Sequence, residues 1–231
     1  MNDEKETRKK LQESAMQEFL EKGFMKASLR SICKHAGVTT GALYFFFQDK
    51  DDLFASLVKE PLANVYAVME QHFADEKQAL ESGEFLSGAI QTEDAADDFR
   101  VTVDIVHAMY SSRDQFRLLL EKSQGSSLEG AVDQIVQISD QHYQMLAETM
   151  VKLTGAPPIE HNVIHWIAHM QIDLFVYAVT HIESEQEAIR YMEQKYGLSY
   201  VAELKNELIA AKESGLLTRD VTAERQQNQR I

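Results

Sequence analysis

GVTTGALYFFFQDKDDLF, residues 37–54, sets two threonines, a glycine and a tyrosine ahead of three phenylalanines and a single lysine. Thr39 can cap a helix over about 39–46, because its hydroxyl can accept an N–H of the first turn. Just upstream, Ser28 caps a helix reaching Ala36, and Gly37 breaks it. Two short helices around a tight turn make a helix-turn-helix. Cys33 is the small residue inside its first helix, Gly37 the turn, and Ile32, Val38 and Leu43 the apolar lock. An ordinary helical hairpin has the same outline, so spacing alone does not decide for a DNA reader.

The flanks extend the pattern. Leu11, Ala15, Phe19 and Leu20 recur at helical spacing, and the first helix is read as ending at EKGF, with Gly23 as a left-handed stop. Asp49, with Asp52 at the capping-box position, opens a fourth helix to about Leu80. Pro61 lies inside it, where a kink is expected because proline removes a donor and crowds the preceding turn.

The second helix of such a unit enters a major groove by its N-terminal end. Thr39, Thr40, Gly41 and Tyr44 fall there. Hydroxyls can bond phosphate, and glycine lets backbone approach DNA closely. Ser28, Arg30 and Lys26 are further phosphate candidates, as is Lys50 in the first turn of the next helix. Asp49, Asp51 and Asp52 oppose this unless they point away. The reader helix has no Arg, Asn or Gln, the usual bidentate base readers, so no operator sequence follows. Of the phenylalanines, Phe47 and at least one of Phe45 and Phe46 are expected to turn inward.

EFLEKGFMKASLRSICKHAGVTTGALYFFFQDKDDLFASLV, residues 18–58, resembles the DNA-binding domain of TetR-family transcriptional regulators. The resemblance covers about residues 8–58 and rests on the order of EKGF, SLRSI, AGVTTGALY and FQDKDDL. Phe46 stands where the family often has histidine. DQFRLLLEKSQGSSLEG, residues 114–130, is similar to sensor domains of some members. The resemblance implies a dimeric, ligand-responsive repressor released from a palindromic operator by a small molecule.

Charge agrees with this division. The chain has 231 residues and a net charge of −14. Residues 1–50 carry nine Lys/Arg against seven Asp/Glu, a net +2, and residues 51–231 fourteen against thirty, a net −16. Only the first fifth suits a polyanion; the rest reads as a solubilising surface. Three prolines and ten glycines favour long helices. One cysteine, Cys33, excludes an internal disulfide framework and a CxxC knuckle. MNDEKETRKK is unlike a signal peptide, and no apolar run is read as membrane-spanning, so a soluble cytoplasmic protein is expected.

The expected architecture is all-α. It comprises a helix-turn-helix domain over 1–49, a connecting helix over 50–80, a ligand-binding and dimerisation domain over 81–215, and a polar tail over 216–231. Further helices are expected near 95–111, 114–122, 128–153, 158–182, 185–194 and 200–213, and no strand. The segment over 159–182 is apolar almost all round, which suits a dimer bundle shared with 185–194. Phe99, His107, Tyr110, Phe116, Tyr143, Trp166 and Met170 are candidate pocket residues, though each also suits plain core.

His161, His165, His169 and Asp173 recur every fourth residue, a spacing that can ligate metal. It equally suits a polar strip at a seam, because the stripe drifts about 40° per step. Asp104 and His107 form one D-x-x-H pair, but no E-x-x-H exists, so a di-metal bundle enzyme is a poor reading. No nucleophile–base motif or phosphate loop supports catalysis, and no cofactor is expected. A protein-binding adaptor is the remaining alternative, which a DNA-binding assay separates.

Overall fold

The structure, a computed structural model, describes residues 2–82 and 93–196. Among these, nine α-helices and no strand occur: α1 (Asn2–Lys26), α2 (Leu29–Ala36), α3 (Thr40–Phe46), α4 (Lys50–Ser82), α5 (Glu93–Tyr110), α6 (Arg113–Lys122), α7 (Ala131–Thr154), α8 (His161–His181) and α9 (Glu185–Tyr196). The helix expected at 200–213 and the tail over 216–231 lie outside the described residues.

The start signals act as their chemistry dictates. Ser28 accepts the Ser31 N–H at 3.4 Å, and Thr39 accepts that of Ala42 at 3.2 Å. Asp49 accepts the Asp52 N–H at 2.9 Å, while the Asp52 carboxylate reaches back to Gln48 N–H, one residue before the cap, at 2.9 Å. Gly37 has φ 69° and ψ 28°, the left-handed cap that only glycine adopts without strain. Gly23 differs from expectation. Its φ 73° and ψ 163° break α1 but are not a left-handed helical cap. α4 runs unbroken through Pro61, whose ring is buried.

Two downstream helices start later than the apolar pattern suggests. Residues 123–130 form turns, so α7 begins at Ala131 rather than 128. Residues 155–160 are non-helical, because Pro157 and Pro158 hold the chain extended; α8 therefore begins at His161.

Two main cores result. The first joins Leu11, Phe19, Ile32, Leu43, Phe47 and Phe54, and it reaches beyond residue 49 to take in Leu57 and Val58 of α4 and Leu118 and Leu119 of α6. The second joins Val65 and Met69 of α4 to α5, Phe116 of α6, Phe175 and Val179 of α8, and Met192 of α9. A smaller cluster, Val136, Ala168 and Ile172, pins α7 on α8. α8 is long and apolar enough, by length and composition alone, to cross a bilayer. It packs against α5, α6, α7 and α9, which buries about a third of that apolar stretch.

Candidate nucleic-acid interface and effector cavity

α3 presents one face outward. Thr40, Gly41, Tyr44 and Phe45 are exposed, while Leu43 and the cap residue Phe47 are buried. Thr39 and Ser28 spend an acceptor lone pair on their caps, which leaves each hydroxyl proton available to another acceptor. Gly41 is informative because the fold does not need it. A Cβ there would meet nothing nearer than Thr39 Oγ1 at 3.8 Å, an ordinary contact. Gly41 thus leaves bare backbone on the outward face of α3. Arg30 and Lys26 are exposed.

The acidic complication resolves in the geometry. Asp49 and Asp52 are held on backbone N–H groups, and Asp51 Oδ1 accepts the Ser127 N–H at 2.8 Å.

Lys50 is turned toward the end of α1. Its Nζ lies 2.7, 3.3 and 3.4 Å from the carbonyls of Phe24, Met25 and Ala27, and 4.5 Å from the Phe24 ring centroid. Three carbonyls take its three N–H donors, so it closes the end of α1 and has none left for phosphate.

Phe45 is the residue that sequence reasoning left open. It is 72% exposed, with its ring edge-on to half-buried Phe46. The signal was partly available in the helical face: positions 40, 41, 44 and 45 span an arc of about 140° that leaves out Leu43.

Glu18 was missed altogether. Its carboxylate is 3% exposed and accepts Ser28 N–H at 3.1 Å, Ser31 Oγ–H at 2.9 Å and Lys22 Nζ at 2.9 Å. Burial pushes its pKa up, but the hydrogen bonds from Lys22, Ser28 and Ser31 together outweigh this and hold it below the usual glutamate value. Nothing in sequence marks a glutamate ten residues before a cap as that cap's anchor.

Between α4, α5, α6, α7 and α8 lies a cavity of about 70 Å³. Of the seven expected pocket residues, Phe116 and Tyr143 line it. The other five do not. His107 is exposed and pairs with Glu185 at 2.9 Å. Tyr110 is turned to the α8 end, where its hydroxyl donates to the carbonyls of Ala178 and Ile182 at 2.8 and 2.7 Å; burial there raises its pKa. Trp166 is half exposed on the outer side of α8, and Phe99 and Met170 are half-buried outside the lining. The physical reason is common to all five: helical periodicity assigns a face but not the neighbour that the face meets.

The histidine stripe does not converge. His161 and His165 turn toward Asp140 of α7, at 3.9 and 3.7 Å, while the His169 ring stands edge-on to that of His165 and Asp173 is exposed. Among the described residues no group of three or more His, Cys, Asp or Glu side chains is placed to hold a metal ion.

The family described as bacterial regulatory proteins, tetR family, matches residues 11–57. The repressor BepR of Brucella suis is 47% identical over 53 residues, 23% of this chain and 25% of its own length. The regulator AcrR of Shigella flexneri is 40% identical over 60 residues, 26% of this chain and 28% of its own length. The chain thus spans about a quarter of these curated relatives. In overall fold it is similar to NalD of Pseudomonas aeruginosa, secondary repressor of the MexAB-OprM multidrug efflux pump. That TM-score is 0.56 at 19% identity, covering 84% of this chain and 95% of NalD. Residues 11–57, which hold the capped helix α3 and its outward hydroxyls, are thus similar to bacterial regulatory proteins of the tetR family.

Proposed function

We propose that this protein is a dimeric, ligand-responsive repressor. Two reader helices hold a palindromic operator, and a small molecule in the cavity releases it. α6 carries the reading. Leu119 belongs to the buried core of the DNA-binding domain and also lines the cavity, with Phe116 and Leu120 beside it. Any occupant that displaces α6 must therefore disturb packing against α1 and α4. Asp51 adds a second link, since its bond to Ser127 ties the loop after α6 to the first turn of α4.

The release step is a population shift. A ligand that fits only one position of α6 favours the spacing of reader helices that goes with it. α4, continuous through Pro61, transmits the displacement. Exposed Trp166 and Tyr177 on α8 supply an apolar face suited to a second copy, which a two-fold operator requires. Residence with DNA places the protein in the cytoplasm.

The test is fluorescence anisotropy on DNA from directly upstream of the protein's own gene, followed by selection from genomic fragments, with Tyr44→Ala beside wild type. Specific, salt-dependent binding by a species of twice the monomer mass, weakened in the variant, is expected. Wild type that selects no sequence from the whole genomic pool would refute the regulator reading.

A further inference from the structure

The cavity is sorted by polarity along its length. Its α6 end is fixed by Arg113, whose Nε donates to the Val179 carbonyl at 3.1 Å, and by the α6 leucines packed on α4. Near that end the lining is apolar: Val65 and Met69 of α4, Met109 of α5, Val132 and Ile135 of α7 and Phe175 of α8. One to three turns farther along the same helices come His72, Thr102, Ser139, Tyr143 and Gln171. In chain order the polar lining groups lie at the end away from α6, where Phe73, Val101 and Ile172 also line the space. No Asp, Glu, Lys or Arg is among the described residues that line the space.

Ser139 is 2% exposed, and its hydroxyl makes no hydrogen bond within the described residues. It stands one turn from Tyr143, on the same face of α7, and Tyr143 donates to the Gln171 side-chain carbonyl across the cavity. A hydroxyl that opens on the cavity without a protein partner is free to bond a polar group brought into that space. Glu76 is the nearest carboxylate. It stands behind the lining, 3.5 Å from His72 Nε2 and 2.6 Å from His142 Nε2, and does not itself face the space. An ammonium headgroup would therefore find no anion at the wall, and a carboxylate no fixed cation.

We infer that the cavity takes an uncharged amphiphile whose hydroxyl or carbonyl head bonds Ser139, with its apolar body lying toward α6. This rests on the cavity being the effector site proposed above. The space holds roughly five to seven water-sized groups, which suits a short chain or single ring. The arrangement also puts the apolar tail, not the head, against Phe116 and Leu119. Tail length would then set how far α6 is displaced, while the head would set whether the molecule binds.

The experiment uses methyl-labelled methionine in the full chain, because Met69 and Met109 line the cavity and exposed Met25 does not. The probes are 1-hexanol, hexanoate, hexylammonium and benzene near pH 7, where the two charged probes are ionised. Saturable shifts of Met69 and Met109 by 1-hexanol, with Met25 still, are expected, and hexanoate and hexylammonium should bind at least about tenfold more weakly. Ser139→Ala should weaken 1-hexanol roughly five- to tenfold yet leave benzene unchanged, and Val132→Phe should block both by filling the space.

Equal binding of a charged homologue overturns the inference. So does a Ser139→Ala effect on neither probe or on both alike, or no saturable shift with 1-hexanol. This readout involves no DNA, so its failure is separate from failure of the regulator reading, which the anisotropy assay decides.

Discussion

Replacing Glu18 tests whether the first two helices are held by one buried carboxylate. Glu18→Ala removes an acceptor from Ser28 N–H at 3.1 Å and from Ser31 Oγ–H at 2.9 Å. Hydrogen bonds to a charged group contribute about 1.5–3 kcal/mol each. The Ser31 hydroxyl can rotate, and His35 Nδ1 lies 3.5 Å away, so much of its loss is recovered. Removing the buried carboxylate also relieves its desolvation. The exposed Lys22 ammonium is screened by solvent and is left out of the sum. The net cost is about 2 kcal/mol for Glu18→Ala and about 1 kcal/mol for Glu18→Gln, which keeps one oxygen for Ser28.

At about 2–4 °C per kcal/mol for a chain of this size, Glu18→Ala should melt roughly 4–8 °C below wild type. The pH arm has a fixed sign. Glu18 sits below the usual glutamate value in the folded state, so the unfolded chain binds more protons between the two values. Its contribution is complete above about pH 4.3, the unfolded value, and is lost as pH falls through the folded one. The gap between wild type and Glu18→Gln should therefore be flat from about pH 5 to 8 and shrink on further acidification. Urea unfolding at each pH reads both quantities. A cost below about 0.5 kcal/mol for Glu18→Ala, or a gap that widens as acid is added, would refute the reasoning.

Other perturbations separate DNA contacts from supports. Arg30→Ala should lower the slope of log affinity against log salt by about one, whereas Lys50→Met should lower the melting temperature and leave that slope unchanged. An altered slope in Lys50→Met would return its ammonium to the phosphate. Asp51→Ala, which frees the loop after α6 from α4, should leave operator affinity within about threefold but reduce the DNA release caused by a cavity ligand; an undiminished response in the anisotropy assay counts against this link. Tyr110→Phe leaves two carbonyls at the end of α8 without their donor and should cost about 1 kcal/mol in urea unfolding; no loss would mean that water replaces the phenol at once.

How far the sequence reached depends on the range of the interaction that decides each feature. Caps act over three or four residues, so Ser28, Gly37, Thr39 and Asp49 could be read directly, and each sits as its chemistry requires. Apolar periodicity located the core face of α1 for the same reason. Lys50 shows where this stops. Its position at a helix start suggested an anion, but its partners lie 23 to 26 residues away at the broken end of α1. The pocket is a stronger case, since Tyr110 and Tyr143 are both aromatic residues on amphipathic helices. One is turned to the α8 carbonyls and the other into the cavity, a difference created by which helix crosses each face.

The same distinction explains why α6 packs into both cores. Ten residues long, it has too little surface for a core of its own, so Leu118 and Leu119 complete the DNA-binding core while Phe116 completes the sensor core. A helix buried on both sides cannot shift against one core without breaking contacts in the other, because close-packed interiors transmit displacement rather than absorb it. That double burial makes a particular demand on any effector. It must reach α6 with the apolar end of the cavity filled, since the polar end touches only α4, α5, α7 and α8. A molecule that satisfies Ser139 but stops short of Phe116 should therefore bind without releasing DNA, and so compete with a longer homologue that does release it. Measured side by side, 1-propanol and 1-hexanol should separate binding from release. Equal release at equal occupancy would show that α6 is not the element through which the two halves communicate.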